Sequence, residues 1–385
     1  MRLLDLSLTQ FRAHSSTSVA AAPGVNLFVG PNGAGKTNLL EALGYLGMGK
    51  SFLGASDANV VQNGADHFSV EGRFGSEGRA DVRLRLAAVP REGKRASVNA
   101  SPLDTLSSLV GRVPMVVLSP ADRDLTAGGP SERRRFLDTT LSQAYPAYLD
   151  DLLRYRRALR QKNAALLHVR RGRSLASGTL DAWDEEIAVL GSRIMDRRAG
   201  FLDSFVSFVN RAHDLLDEPG LRPHHHYRPS VDTDGSDAGA LDSLRQSLAS
   251  TRTRSSQLGR TLVGPHLDEV EFRLGDLDLR PYASQGQHRT FALTIRVAQA
   301  LFFAEHTGET PILLLDDVFG PLDPDRTRVV LSLLASRALG QSFVTAARAE
   351  PFLEGVAFES DEHQAFHVER GAVAPLDLPI TPSHP

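Results

Sequence analysis

A glycine-rich segment at residues 30–37, GPNGAGKT, carries the clearest chemistry in this chain. It fits the phosphate-loop pattern GxxxxGK followed by Ser or Thr, between the apolar run VNLFV and a segment of helical periodicity. Glycines let backbone amides turn toward an anion, a lysine reaches the β- and γ-phosphates of a nucleotide, and a threonine hydroxyl ligates Mg²⁺. The predicted nucleotide-binding residues are Gly30, Pro31, Asn32, Gly33, Ala34, Gly35, Lys36, Thr37 and Asn38, with Thr37 also on the metal.

Two adjacent carboxylates, Asp316 and Asp317, follow the apolar run PILLL. At the end of a buried strand, Asp316 would lie beside Mg²⁺, usually through water, and Asp317 would face the γ-phosphate and orient or deprotonate the attacking water. Two adjacent acids are costly unless a cation neutralises them, which favours a magnesium site over an ordinary strand followed by a polar turn. Asp317 and Lys36 are therefore the predicted catalytic residues.

The elements that must position these residues come from both ends of the chain. Alternating apolar and polar residues predict half-buried strands in the first third, and VNLFV and PILLL predict buried parallel strands. Between Ser131 and about Ser256, apolar residues recur three and four apart, as in helices. We predict one α/β lobe with an all-helical lobe inserted. The predicted boundaries are 1–125 and 260–385 for the two parts of the α/β lobe and 126–259 for the helical lobe.

Composition limits the classes of protein that fit. The 385 residues predict two packed units, and 41% hydrophobic with 23% charged residues is typical of a globular protein. Without cysteine there is no disulfide, thiolate zinc site or cysteine nucleophile. No apolar stretch of about 18 residues and no signal-like N-terminus are present. We therefore expect a cytoplasmic protein without a membrane partner.

Residues 131–173 form a basic segment, with ten arginines and one lysine against four carboxylates, although the whole chain has a net charge of −3. Its arginines recur at helical spacings of three and four and then cluster near a turn. Such a band would bind the phosphates of a polyanion with little sequence preference, although a solvated helix face or a surface for a partner protein also explains it. The candidate DNA-binding residues are Arg154, Arg156, Arg157, Arg160, Arg170, Arg171 and Arg173.

A second loop suited to anions, SQGQ, precedes a helical pattern about 30 residues before the two carboxylates. A simple helix cap with Ser284 as the capping residue is one interpretation. The loop also resembles the signature loop of ABC-type ATPases, and Leu322 and Asp323 resemble their D-loop. In that class, two heads hold two ATP molecules, each between one phosphate loop and the other head's signature loop. The resemblance implies ATP as the nucleotide, a homodimer that forms on ATP, and contacts in trans from Ser284, Gln285, Gly286, Gln287 and Asp323.

Over nearly its full length, the chain resembles the RecF family of SMC-like bacterial repair proteins. The motifs that carry this resemblance are LTQFRAH at 8–14, GPNGAGKTNLLEAL at 30–43, VVLSPADRDLTAGGPSERRRFLD at 116–138, LVGPHLD at 262–268, YASQGQHRTFAL at 282–293 and LLLDDVFGPLD at 313–323. GPSERRRFLD and GPHLD are not general features of ABC ATPases. The resemblance implies an α/β, ABC-type P-loop ATPase head, and no heptad run is long enough for coiled-coil arms. It also implies that Arg12 reaches the nucleotide phosphates.

The function implied by this family is ATP-dependent binding of duplex DNA and single-strand/duplex junctions, which helps to place RecA at gaps together with RecR and RecO. A weak ATPase acting as a switch is expected, because Asp317 stands where transporter heads carry glutamate and Thr345 stands in place of a histidine. Gln62 and the turn at 119–122 compete as the glutamine-loop equivalent, with the turn preferred. An ATPase subunit of a membrane transporter and a P-loop kinase are the alternatives from other functional classes.

Overall fold

The computed structural model describes residues 1–76, 79–174, 176, 178–217, 220–232, 239–320, 323–358 and 360–378. The chain forms two compact units. The first comprises Met1–Asp122, Arg211–Pro219 and Leu293–Pro385, and the second comprises Arg123–Asn210 and Gly220–Ala292. Leu322 of the predicted D-loop lies outside the described residues. Within the described part of the chain, no helix is long and apolar enough to cross a membrane.

The strands and helices are named in chain order. The strands are β1 (Arg2–Phe11), β2 (His14–Ala20), β3 (Val25–Val29), β4 (Phe68–Ser76), β5 (Arg79–Val89), β6 (Gly93–Val98), β7 (Ser101–Pro102), β8 (Met115–Leu118), β9 (Pro223–Arg228), β10 (Glu269–Leu274), β11 (Leu277–Asp278), β12 (Ile312–Asp316), β13 (Ser342–Ala346), β14 (Gln364–Glu369) and β15 (Ala372–Pro375). The helices are α1 (Lys36–Met48), α2 (Asp57–Val60), α3 (Arg123–Ala127), α4 (Pro130–Ala144), α5 (Pro146–Arg170), α6 (Thr179–Leu215), α7 (Ala240–Ser250), α8 (Arg252–Leu258), α9 (Leu279–Tyr282), α10 (Gln285–Thr307), α11 (Pro324–Ala335) and α12 (Glu350–Leu353).

A mainly parallel sheet forms the centre of the first unit, with strand order β15-β14-β3-β13-β12-β8. Every residue of β3, β12 and β13 is buried, which confirms the prediction that VNLFV and PILLL form buried strands. These three strands are parallel neighbours in the order β3-β13-β12, so their carboxyl ends meet at one edge. That edge positions the phosphate loop, the two carboxylates and Thr345.

A second, antiparallel sheet in the first unit has the strand order β2-β1-β4-β5-β6-β7. The apolar side of α1 packs in one core with it, where Phe11, Tyr45 and Phe68 meet edge to face at centroid distances of 5.3 to 5.6 Å. Helix α1 ends at Gly49, whose φ of 67° suits a glycine. The helix that begins at the phosphate loop is thus anchored along its length.

The second unit combines helices α4 to α8 with a three-stranded sheet of order β11-β10-β9. The prediction that the inserted lobe is all-helical is therefore wrong at β9, where residues 223–228 pair antiparallel with β10 from Pro223↔Leu274 to Arg228↔Glu269. Three consecutive histidines carry no apolar alternation, so the strand depends on its distant partner rather than on a local pattern. Because β10 belongs with β9, the compact unit continues to Ala292 rather than ending at residue 259.

Candidate nucleotide-binding site

The phosphate loop links β3 to α1 and requires glycine at specific positions. A Cβ on Gly30 would lie 2.1 Å from the carbonyl oxygen of Val368 in β14. Gly33 and Gly35 have φ values of 80° and 110°, which L-residues with a side chain rarely adopt. Gly35 is the N-cap of α1, and no side chain among the described residues caps this helix. The first amides of α1 are therefore directed to the loop as donors for an anion.

Lys36 is held inside this loop rather than extended into solvent. Its Nζ donates to the carbonyl oxygens of Gly30 at 2.6 Å and Pro31 at 2.9 Å. Burial lowers the pKa of Lys36, while the charges of Asp317 and Asp316 act in the opposite direction. An ammonium has three donors, so a third N–H remains for a phosphate oxygen. The predicted role of Lys36 fits this arrangement.

The hydroxyl and carboxylate predicted to hold Mg²⁺ lie together. Thr37 Oγ1 donates to Asp316 Oδ1 at 2.8 Å, although 279 residues separate them in the chain. Asp316 is buried at the end of β12. A hydroxyl oxygen beside a carboxylate matches the hard oxygen ligands that Mg²⁺ prefers, and Mg²⁺ keeps several waters in sites that use one or two protein carboxylates. The residues present therefore fit this metal: Thr37 and Asp316 would hold it, and when bound it would neutralise Asp316 and supply positive charge to the phosphates.

Thr345 connects the Asp316 carboxylate to the backbone of Asp317 and was not predicted to do so. Its Oγ1 donates to Asp316 Oδ1 at 2.8 Å and accepts from the backbone amide of Asp317 at 3.0 Å. Asp317 has a φ of 49°, in the left-handed region that costs energy for a residue with a side chain. Thr345 thus supports the turn that begins at Asp317. The sequence indicated only that a threonine replaces a histidine here.

A buried histidine beneath the phosphate loop was also missed by sequence reasoning. His14 Nε2 lies 3.0 Å from the carbonyl oxygen of Gly35, and Nδ1 lies 3.0 Å from Thr17 Oγ1. Burial lowers the pKa of His14, whereas its hydrogen bonds to the carbonyl oxygens of Gly35 and Gly371 act in the opposite direction. A further backbone bond runs from Gly371 N to the carbonyl of Ala34 at 2.9 Å. The loop is therefore held by residues from both ends of the chain, which local motifs cannot reveal.

Arg12, predicted at the phosphates, forms a paired contact with Glu41 of α1. Nε and Nη2 each donate to a different Glu41 carboxylate oxygen at 2.9 Å, and Nη1 donates to the carbonyl oxygen of Asn59 at 2.9 Å. The hydrogen bond with Glu41 raises the pKa of Arg12. Glu41 is fully buried one helical turn after Thr37. Arg12 therefore lies beside the start of α1, and its contact with ATP stays a prediction.

The predicted signature loop has the geometry of a capping box in the second unit. Gln287 N donates to Ser284 Oγ at 3.2 Å, and Ser284 N donates to Gln287 Oε1 at 2.8 Å. Residues Ser284, Gln285, Gly286 and Gln287 are all exposed, and Tyr282 beside them is 73% exposed. The loop is thus rigid by its own hydrogen bonds and open to contact. Capping and anion binding are compatible, because a capped helix still directs other amides outward.

The other predicted positions lie at element ends. Asp323 caps α11 by accepting from Arg326 N at 3.0 Å, and this hydrogen bond lowers its pKa. Gln62 Nε2 donates to Ser15 Oγ at 2.9 Å. In the competing turn, Asp122 Oδ2 accepts from Ser119 N at 3.0 Å and Oδ1 pairs with Arg296 at 2.6 Å. The glutamine-loop equivalent stays open between these two positions.

The seven candidate DNA-binding arginines are all exposed on α5 and the turn after it. Arg154, Arg157 and Arg160 make no ion pair with the part of the chain that the structure describes. Arg156 differs, because its Nη2 donates to Asp138 Oδ2 at 2.8 Å. Most of the predicted positions therefore offer a positive charge to a polyanion. Arg156 is the exception, because it is paired with Asp138 of α4.

Together, this parallel-sheet core, its phosphate loop with Asp316 and Asp317, and a separate serine-glycine loop at a helix start define an ABC-type ATPase head. The family model described as RecF/RecN/SMC N terminal domain matches residues 2–360. The chain belongs to the RecF family. It is 45% identical over 374 residues to the DNA replication and repair protein RecF of Salinibacter ruber, covering 96% of this chain and 91% of that protein. Its identity to the RecF of Chloroherpeton thalassium is 39% over 361 residues, 92% of this chain and 97% of that one.

Solved structures agree with this family. A structure described as the recombination mediator protein RecF-ATPrS in the RecFOR pathway superposes with a TM-score of 0.88 at 28% identity, over 98% of both chains. A structure of an Smc head bound to the C-terminal winged-helix domain of ScpA superposes with a TM-score of 0.56 at 16% identity, over 98% of both chains, and supports the fold alone. The ABC-type head without coiled-coil arms is thereby confirmed. The relatives that the chain matches are named as DNA replication and repair proteins.

Proposed function

We propose that this protein is an ATP-dependent DNA-binding protein of recombinational repair in the cytoplasm. Two copies would close on ATP and Mg²⁺ around DNA at gaps and single-strand/duplex junctions, and slow hydrolysis would release them. In company with RecR and RecO, the closed dimer would help to load RecA. This proposal draws on the RecF names of the relatives and on a solved RecF-ATP structure described within the RecFOR pathway.

The observation that best supports an ATP-dependent dimer is the exposed, preorganised signature loop. Its serine and the start of its helix are held in place by two local hydrogen bonds. In an ABC-type head, the matching γ-phosphate belongs to ATP on another copy. ATP would therefore stabilise the pair by linkage, since it makes its full set of contacts only between two copies.

The hydrolytic step would proceed in the water-excluded closed state. The first amides of α1 and Lys36 would hold the β- and γ-phosphates, and Thr37 with Asp316 would hold Mg²⁺. Asp317 would accept a proton from, or orient, the water that attacks the γ-phosphorus. An aspartate is one methylene shorter than the glutamate of transporter heads, and the Thr345 hydroxyl, which stands in place of a histidine, is bonded to the Asp317 backbone amide and the Asp316 carboxylate. Both features favour slow turnover, which suits a switch.

The DNA contact would come from the arginine band of α5 together with the turn at Arg170, Arg171 and Arg173. Contacts of this kind bind the phosphate backbone, so affinity should fall steeply with salt and depend little on sequence. The family comparisons favour this function over the transporter-subunit alternative, since the relatives carry replication and repair names.

Light scattering on the full-length protein with ATP or ADP tests the trans contact. In the Asp317→Asn background, which slows hydrolysis, we expect dimers with ATP and monomers with ADP. Adding Ser284→Phe should abolish the ATP dimer while a fluorescent ATP analogue still binds. Ser250→Phe is a matched control, because Ser250 is also an exposed serine on a helix of the second unit. Dimerisation that survives Ser284→Phe would contradict the assignment of the signature loop.

The DNA part of the proposal has its own measurement. Anisotropy of a labelled gapped duplex should rise with protein in ATP but not in ADP, more steeply than first order in protein, and less at higher salt. Equal DNA binding in ATP and in ADP would contradict the proposed nucleotide-dependent switch.

A further inference from the structure

A cavity of about 190 Å³ in the second unit brings together two motifs that the nucleotide site does not use, GPSERRRFLD and GPHLD. Helix α4 contributes Ser131, Arg134, Arg135 and Asp138, at spacings of three, four and seven that place them on one face. The other walls come from α5, α6 and the loop at Pro265 and His266. The most polar of these wall residues are Arg156 of α5 and Arg198 of α6.

The lining is strongly cationic. Four guanidinium groups, those of Arg134, Arg135, Arg156 and Arg198, meet a single carboxylate, that of Asp138. Arg198 is fully buried and satisfied, since it donates to Asp138 at 2.8 Å, to Asp268 at 3.0 Å and to the Pro265 carbonyl at 2.7 Å. Asp138 also accepts from Arg156, so its charge is shared between two arginines.

Arg134 is the cation in this cavity without a carboxylate partner. Its Nη1 donates to the backbone carbonyl of Asp268 at 2.7 Å, and no carboxylate of the described residues lies within 4.0 Å of its guanidinium. Burial and the neighbouring Arg198 charge lower the pKa of Arg134 more than the carboxylates of Glu269, Asp268 and Asp138 raise it. The charged form is therefore under-compensated, and an incoming anion would supply the missing charge.

The remaining polar wall is neutral and fixed. Tyr155 Oη and His266 Nδ1 form a 2.6 Å hydrogen bond, and burial lowers the pKa of His266 to about 4. At pH 7 this pair adds no charge, and it keeps the GPHLD loop against α5. Arg135 and Arg156, 59% and 47% exposed, stand at the solvent side. The cavity is smaller than a typical pocket for a whole small-molecule ligand, about 300–1,000 Å³, so it suits one tetrahedral anionic group.

We propose that this cavity is a phosphate pocket, in which Arg134 with Arg156 and Ser131 binds one backbone phosphate of DNA. Guanidinium forks match phosphate oxygens in pairs, which lysines do not. DNA is the expected source of this phosphate because Arg156 belongs both to the cavity and to the exposed arginine band of α5. A DNA strand that lies along the band would pass the opening of the cavity. This inference rests on the proposed function, because it specifies one of its DNA contacts.

The test uses the full-length protein, ATP and a labelled duplex titrated at several salt concentrations. Arg134→Gln should weaken binding about tenfold. It should also reduce the slope of log K against log salt by about 0.9, the value for one lost phosphate contact. Arg193→Gln is the matched control, because Arg193 is an exposed α6 arginine of the same unit that does not line the cavity. It should leave affinity and slope unchanged.

A second variant covers the case in which Arg134→Gln disturbs folding through the Asp268 carbonyl. Ser131→Glu adds a negative charge to the cavity wall and to the first turn of α4, where it favours the helix. We expect lower DNA affinity with an unchanged or higher melting temperature. Unaltered DNA binding in Ser131→Glu and in folded Arg134→Gln would overturn the phosphate pocket while leaving the proposed function intact.

Two other outcomes identify a different source. If inorganic phosphate raises the melting temperature of the wild type but not of Arg134→Gln, and DNA binding is equal in both, then the site takes free phosphate and the DNA assignment is wrong. If poly-glutamate behaves in that way instead, the pocket belongs to an acidic protein partner, which also overturns the proposal. Wild-type protein that binds no DNA with ATP would defeat the proposed function itself, and with it the DNA assignment.

Discussion

The phosphate loop and the signature loop are both predicted to bind anions at the start of a helix, but they are built differently. The phosphate loop is partly buried, with Pro31, Asn32 and Gly33 exposed, and it is held by residues far apart in sequence, including His14, Val368 and Gly371. The signature loop is exposed and has a local capping box between Ser284 and Gln287. The first site already contains its counter-charges and metal ligands. The second presents donors on an open surface, as a half-site for another copy would.

This difference predicts where substitutions act. Changes at the phosphate loop should affect nucleotide binding or hydrolysis within one chain, whereas changes at the signature loop should affect association and leave binding in place. Four substitutions, described in order of decreasing effect, test whether the two loops act separately.

Asp317→Asn should have the largest effect, on hydrolysis. Loss of a general base costs about 100- to 10,000-fold, and we expect a fall of about 1,000-fold in the single-turnover rate with ATP affinity preserved. Asp325→Asn is the control, because Asp325 is 88% exposed on α11. A rate within a few-fold of wild type in Asp317→Asn would mean that another group acts on the water.

Lys36→Ala should weaken ATP binding by about 100-fold, since the loss of charge-assisted hydrogen bonds costs about 1.5–3 kcal/mol each. Calorimetric titration with ATP measures this directly. Arg328→Ala removes one exposed positive charge from α11 and should bind ATP normally. ATP affinity that stays unchanged in Lys36→Ala would place the phosphates elsewhere.

Ser284→Ala removes the hydroxyl and half of the capping box but adds no bulk. Loss of an N-cap costs about 1 kcal/mol, which we expect in the unfolding free energy of the second unit measured with denaturant. ATP affinity of the single chain should not change. A matching loss of ATP affinity in monomeric protein would show that the two loops are not separate.

Acid should lower the stability of the folded protein through His14, which lies beneath the phosphate loop. Because burial lowers the pKa of His14 in the folded protein, the unfolded chain takes up a proton first as pH falls. The contribution of His14 to the free energy of unfolding is therefore fully present above about pH 6.5 and decreases below it. His14→Gln should reduce this decrease, as shown by melting temperatures from pH 7 to 5. An identical pH profile in the variant would assign the effect to other buried histidines.

Residues with a local signature were the ones that sequence could predict. The phosphate loop, the buried strands and the carboxylates at a strand end follow from short patterns, and the structure joins Thr37 to Asp316 as those patterns require. His14, Thr345 and Glu41 gave no such signal, because their roles arise from contacts between segments far apart in the chain. The strand β9 was missed for the same reason. The cavity of the second unit shows helical spacing in GPSERRRFLD, but its charge balance depends on residues from three helices together.

The close approach of Gly30 to Val368 has a consequence for protein synthesis. Strand β3 and its loop emerge from the ribosome early, yet β14, which completes the sheet beside them, spans Gln364–Glu369. A nascent chain that stops before this strand leaves the β3 edge unpaired and the loop without its Gly371 contact. Prematurely terminated products would therefore lack a finished nucleotide site, so that only nearly complete chains would compete for ATP.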